Sequence, residues 1–180
     1  MTPEQRAAAV RLLVLDVDGV LTDGRLYFGA DGEALKVFDV RDGHGVKLLR
    51  EAGIEVAILS ARRSPIVERR ACELGITQVI QGAADKGAGF AELASAMGVD
   101  PARCGYIGDD WPDLAALAQA GFAATVADAA PEVRRIAHWI SAAPGGRGAV
   151  RELAEFILRA QGRLEELPRP AGSAAGGSSA

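Results

Sequence analysis

Two cysteines in 180 residues, Cys72 and Cys104, are too few for a disulfide framework. Cys72 falls in a helix-like stretch and reads as a packing residue. No apolar run approaches the ~20 residues of a membrane span, and neither end has the pattern of a secretory signal. Blocks of lysine or arginine are also absent. With a net charge of −4, that argues against nucleic acid as the main partner. No internal repeat is present. The chain therefore reads as a cytoplasmic protein without nucleic-acid or membrane partners. Its 49% hydrophobic composition is ample for the core of one domain.

Short apolar runs alternate with helix-like stretches, the pattern of an α/β fold: a three-layer, Rossmann-like parallel sheet wrapped by helices. Strands are expected at Val10–Leu15, Ile54–Leu59, Gln78–Ile80, Cys104–Ile107, Phe122–Val126 and His138–Ile140. Asp42 is expected to cap a helix ending at Gly53, and Ser64-Pro65 to open one ending at Gly75. Asp85 precedes a helix to Met97-Gly98, Pro131 starts a short one, and a last helix runs from about Gly148 to Gln161. Arg25 to Phe38 breaks the alternation and reads as a β-hairpin turning at Asp31-Gly32, projecting as a flap over the strand ends. In open α/β sheets those carboxyl ends bind ligands. Residues 1–161 are expected to form a single domain. Residues 162–180, rich in Pro, Gly, Ser and Ala, are expected to be a disordered tail.

The most informative stretch is Val14-Leu-Asp16-Val-Asp18-Gly19-Val-Leu-Thr22-Asp23-Gly24. A buried strand there delivers two carboxylates into a Gly-rich turn, and such a pair repels itself unless a cation lies beside it. The combination suits phosphoryl transfer, with one carboxylate as nucleophile, the other as acid/base, and a hard metal ion against phosphate charge. Asp-Gly pairs also occur in plain turns. A calcium-loop reading fails on spacing: with Asp16 at position one, positions five, six and twelve are Val20, Leu21 and Tyr27. The functional reading therefore depends on partners downstream.

Those partners follow at strand ends. Ile58-Leu59-Ser60-Ala61-Arg62 places a hydroxyl where it can hold a phosphate oxygen. Asp85-Lys86-Gly87 places an ammonium at a loop-to-helix junction, and Gly108-Asp109-Asp110-Trp111-Pro112-Asp113 gathers acids suited to Mg²⁺. A phospho-receiver domain uses similar groups in another order.

In that order the motifs resemble the haloacid dehalogenase-like phosphatase superfamily over roughly residues 10 to 160. The spacings between Asp18, Ser60 and Lys86 leave no room for a cap domain, so a neighbouring subunit, the flap or the tail must exclude water from the site. Details narrow the likeness. The Asp16–Gly24 stretch, Phe38-Asp-Val-Arg41-Asp42-Gly43-His44-Gly45, Gln81-Gly82 with Asp85-Lys86, Gly108-Asp-Asp and Gly145-Gly-Arg-Gly-Ala-Val-Arg151-Glu152 resemble the capless 3-deoxy-D-manno-octulosonate 8-phosphate phosphatases. That family acts on the route to lipopolysaccharide as a Mg²⁺-dependent homotetramer, with its hairpin at the subunit contacts. One departure is Ser60-Ala61-Arg62 where the family has Thr-Gly-Arg. The serine keeps the hydroxyl.

The resemblance implies that Asp16 attacks phosphorus and that Asp18 protonates the leaving alkoxide, then activates water. Asp16, Asp109 and the Asp18 backbone carbonyl would hold Mg²⁺, and Ser60 and Lys86 would cradle the phosphoryl oxygens. Asp110 and Asp113 would stand behind to orient Lys86 and metal-bound water. For the sugar-acid carboxylate Arg62 is placed best, with Arg70 in reach from its helix, because an arginine fork donates two parallel hydrogen bonds. The likeness also makes Arg41, Asp42, Gly43 and Lys47 substrate-lining. Relatives acting on nine-carbon sugar-acid phosphates tend to carry an acid where Arg62 stands. That substrate, and a non-catalytic oligomeric binding module, are the competing readings. His138 reads as structural, and His44 as lying near the substrate or at the surface.

Overall fold

The computed structural model describes residues 1–166. Six strands form one sheet: β1 (Leu12–Leu15), β4 (Glu55–Ser60), β5 (Gln78–Gln81), β6 (Cys104–Ile107), β7 (Phe122–Thr125) and β8 (Trp139–Ile140). They are parallel throughout, in the order β5-β4-β1-β6-β7-β8. The apolar run of β1 is buried on both faces, as a central strand covered by helices must be. The helices are α1 (Pro3–Ala9), α2 (Val40–Glu51), α3 (Pro65–Glu73), α4 (Lys86–Ala96), α5 (Leu114–Gln119), α6 (Pro131–Ile136) and α7 (Ala149–Ala160).

From β1 the chain moves outward through β4 to β5, then returns to the other side of β1 for β6, β7 and β8. Right-handed crossovers therefore place α2 and α3 on one face and α4, α5 and α6 on the other. Helices α1 and α7 join α2, and α4 packs on α5. The winding reverses between β1 and β6, so a crevice opens at their carboxyl ends. In the core Phe90 meets Tyr106 edge-on, at 6.0 Å between ring centroids.

Several expectations need correction. Helix α2 starts at Val40, and its N-cap is Asp39, whose side chain accepts from the Arg41 N–H at 2.7 Å. Asp42 lies inside the first turn. The hairpin, β2 (Tyr27–Gly29) with β3 (Gly32–Leu35), turns one residue earlier than expected, at Ala30-Asp31, because Gly29 pairs with Gly32. Gly32, at φ +114°, opens the return strand. Helices α1 and α5 were not expected, being too short to build a periodic apolar stripe. Within the stretch expected as tail, Leu164–Glu166 forms a 3₁₀ turn, and Leu164 packs on the core. The rest of the expected tail, 167–180, lies outside the described residues.

His138 is structural. Its Nδ1 accepts from the Ala123 N–H at 2.9 Å, which joins the start of β8 to β7. Burial first, then the positive Arg6 and the N-terminal amine, hold its pKa below the usual value. The unfolded chain binds this proton more readily, so the stabilisation is present above the unfolded pKa, about 6.5, and shrinks as pH falls below it. His138→Asn keeps an acceptor that does not titrate. Its Tm should decline less between pH 7 and 5 than that of the native protein, and identical declines would exclude the coupling.

Candidate active site

Strand β1 delivers Asp16, and the chain then turns sharply, with the N–H groups of Val20, Leu21 and Thr22 converging on the Val17 carbonyl at 2.9–3.2 Å. Gly19 occupies this turn at φ +91°, and a Cβ there would stand 2.0 Å from Asp109 Oδ2. Only glycine fits, for reasons of both backbone angle and space. Register does the rest: Leu15 pairs with Ile58 and Ile107, so Ser60 and Asp109 emerge beside Asp16 from the neighbouring strands. Lys86 is the first residue of α4, after its Asp85 cap. Asp16, Asp18, Ser60, Arg62, Lys86, Asp109, Asp110 and Asp113 line one cleft of about 260 Å³ together with Gly24, Ala61 and Pro112.

Lys86 is 6% exposed and bridges Asp16 at 2.8 Å and Asp113 at 2.6 Å. Burial pulls its pKa down, but the charges of Asp16 and Asp113 outweigh this and hold it above the ordinary value. Asp113 has its donors complete: Lys86 and the Tyr106 hydroxyl on Oδ1, and the N–H groups of Asp109 and Asp110 on Oδ2. Burial and the charge of Asp113 push Asp16 up to about 8, and the same two causes raise Asp109 to about 7. This is the electrostatic state of carboxylates crowded without enough positive charge.

Carboxylate oxygens of Asp16, Asp109 and Asp113 lie within 4.8 Å of one another. Because both Asp113 oxygens are already committed, Asp109 and the Asp16 oxygen that Lys86 does not hold are the carboxylate oxygens open to a cation. An all-oxygen site with few carboxylates suits Mg²⁺, which keeps several waters and phosphate oxygens.

Sequence reasoning missed Lys36. It follows β3, its side chain is 1% exposed, and its ammonium contacts Asp18 Oδ1 and Glu33 Oε1, the latter at 2.9 Å. Glu33 in turn accepts a hydrogen bond from the Ser64 hydroxyl. The signal was there: a lone lysine among apolar residues, in Ala34-Leu-Lys36-Val-Phe38. Arg62 approaches the other Asp18 oxygen, Nε to Oδ2 3.9 Å, and is 43% exposed. The Gly145-Gly146 pair abuts the aspartate turn, since a Cβ on Gly145 would fall 1.8 Å from the Gly19 carbonyl oxygen.

Other expected residues do not gather in the cleft. Arg41 pairs with Asp39 at 2.6 Å and donates to the Arg147 carbonyl at 2.8 Å, in an adjoining groove. Asp42 is buried and accepts from the N–H groups of Gly148 (3.1 Å) and Arg151 (2.9 Å), thereby capping α7 from another helix. Its carboxyl is raised chiefly by that burial. Gly43 leaves room for Arg70, whose guanidinium lies 5.7 Å from the Phe38 ring centroid and 3.4 Å from Glu73. Lys47 is exposed on α2.

The switch-point cleft, the aspartate pair and the lysine clamp define a phosphohydrolase of the haloacid dehalogenase-like class, and the model of the haloacid dehalogenase-like hydrolase family matches residues 26–121. The 3-deoxy-D-manno-octulosonate 8-phosphate phosphatase KdsC of Yersinia pestis is 48% identical over 161 residues, 89% of this chain and 86% of that protein. The chain belongs to this phosphatase family. The crystal structure of the Yersinia pestis phosphatase superposes with a TM-score of 0.88, covering 90% of this chain and 88% of that one. The phosphatase from Moraxella catarrhalis, solved in complex with a magnesium ion, a phosphate ion and KDO, superposes with a TM-score of 0.89 at 41% identity, covering 91% of this chain and 94% of that one.

Proposed function

We propose that this chain is a Mg²⁺-dependent phosphatase that hydrolyses 3-deoxy-D-manno-octulosonate 8-phosphate to the free sugar acid and phosphate. The observation carrying this reading is 48% identity to a phosphatase of that name across nearly the whole of both chains. The cleft supplies what the chemistry needs.

An Asp16 oxygen attacks phosphorus in line, and the bond to the sugar oxygen breaks as Asp18 delivers a proton to it. Asp18, now a carboxylate, takes a proton from water as that water attacks the aspartyl-phosphate. Phosphate leaves and Asp16 is regenerated. Ser60 and Lys86 donate to the phosphoryl oxygens, where negative charge accumulates. Asp113, anchored by Tyr106, aims Lys86. Asp16, Asp109 and the Asp18 carbonyl would hold Mg²⁺, which when bound supplies positive charge against the phosphoryl group. Arg62, at the mouth, suits the substrate carboxylate.

Residues 1–161 act as one catalytic domain in this reading, and the enzyme is cytoplasmic. Among the described residues no helix is long and apolar enough to cross a membrane. Both cysteines are free. A homotetramer is supported by the apolar side chains that the hairpin region leaves in solvent: Leu26, Tyr27, Phe28, Leu35, Val37 and Val40. Sedimentation equilibrium measures that state directly.

Phosphate release from 3-deoxy-D-manno-octulosonate 8-phosphate, with and without EDTA, tests the activity beside the nine-carbon analogue and p-nitrophenyl phosphate. Fast release selective for the eight-carbon ester and restored by Mg²⁺ is expected. Release from the nine-carbon ester alone would move the substrate, and silence on all three would overturn the enzyme reading.

Metal binding is expected to be pH-linked. A cation displaces protons from carboxyls raised to about 8 (Asp16) and about 7 (Asp109). Mg²⁺ affinity, followed by the Tm increment at fixed metal concentration, should therefore rise from pH 6 to pH 8.5. An increment independent of pH would contradict it.

A further inference from the structure

The hairpin places a second buried ammonium at the reaction centre, against Asp18, where Lys86 stands against Asp16. Lys36 reaches Asp18 Oδ1 and is held from behind by Glu33 at 2.9 Å, and Glu33 is itself fixed by the hydroxyl of Ser64 at the start of α3. The chain Ser64–Glu33–Lys36–Asp18 runs from the scaffold through the flap to one oxygen of one carboxylate. With its side chain 1% exposed, Lys36 gives up its hydration and is paired with two carboxylates, Asp18 and Glu33. Such a residue is oriented, not solvated.

We propose that Lys36 is a positioning residue for Asp18, selecting the oxygen that carries the proton. Its ammonium donates to Oδ1 throughout the cycle, so that oxygen is engaged. Oδ2, on the side of Arg62 and the cleft, is left to hold the proton. In the first step the Oδ2–H bond breaks, the proton passes to the sugar oxygen, and the ester P–O bond breaks with its electron pair left on that oxygen. In the second step Oδ2 takes a proton from the attacking water. Lys36 keeps its own protons in both. The consequence is that the flap, outside the parallel sheet, sets the geometry of proton transfer.

This rests on Asp18 being the acid/base, and the test separates the two ideas. Lys36→Met is measured on 3-deoxy-D-manno-octulosonate 8-phosphate, whose alkoxide needs a proton, and on p-nitrophenyl phosphate, whose phenolate does not. The kcat on the sugar ester should fall on the order of ten- to hundredfold with KM little changed, as misplacement of a catalytic group costs. The single-turnover burst of p-nitrophenolate, which reports the first step alone, should stay near the native rate and also reports an intact fold, while the second step, common to both esters, slows on both. In an Asp18→Asn background, Lys36→Met should cost nothing further, because the residue it positions is gone. Glu33→Gln combined with Lys36→Met removes both charges together and should repeat the pattern if the single variant folds poorly. Equal losses in the first step on both esters, or the same loss with and without Asp18, would mark Lys36 as structural and overturn the proposal. If Asp18→Asn itself slows the first step alike on the two esters, the acid role of Asp18 fails first.

Discussion

Asp16→Asn is expected to lower turnover of every phosphate ester by at least about 10⁴-fold, since an amide cannot form the aspartyl-phosphate. The fold should survive, because Lys86 keeps its 2.6 Å contact with Asp113. In EDTA the variant should gain stability relative to the native protein as pH rises. In the native protein the Asp16 carboxyl is held up at about 8 by burial and by Asp113, so between its unfolded pKa near 4 and that value the folded state binds the extra proton. Native stability from this group therefore falls as pH rises through that window, whereas an amide does not titrate. Single-turnover phosphate release, with Tm at pH 5 and pH 8, gives both readouts. A rate close to native would remove Asp16 as nucleophile. A Tm difference that shrinks towards pH 8 would contradict the electrostatic account.

Lys86→Met should be the most damaging single change to stability. It leaves the carboxylates of Asp16 and Asp113, 4% and 1% exposed, with no cation between them. Breaking a buried pair in this way costs about 3–5 kcal/mol. Turnover should also drop, on the order of 10²–10³-fold, with one preorganised donor to the phosphoryl oxygens lost. Urea unfolding at pH 8 measures this. A variant as stable as the native protein at pH 8 would show that Asp16 and Asp113 do not depend on Lys86.

Much of the cleft was legible in the chain because it is built at strand ends. Where each apolar run stops, the next polar residue must point out of the sheet, so Asp16, Ser60 and Asp109 could be read in order. The glycine at 19 was readable as a turn, but its contact with Asp109 was not. Asp42 shows the opposite case. An acid before a helical stretch reads as its cap, yet three residues upstream Asp39 takes that place, and the Asp42 carboxylate serves the N-terminus of α7, more than a hundred residues along the chain.

Local pattern by itself determined the α/β alternation, the hairpin and the residues presented at the strand ends, since burial and turn chemistry act over a few neighbours. Only the tertiary structure decided which charges meet. It committed Asp113 to Lys86 and Tyr106, turned Asp42 inward, kept Arg41 and Arg70 out of the cleft, and brought Lys36 to Asp18. These are pairings between distant segments, and their energies depend on burial and separation in space, which the order of residues does not specify.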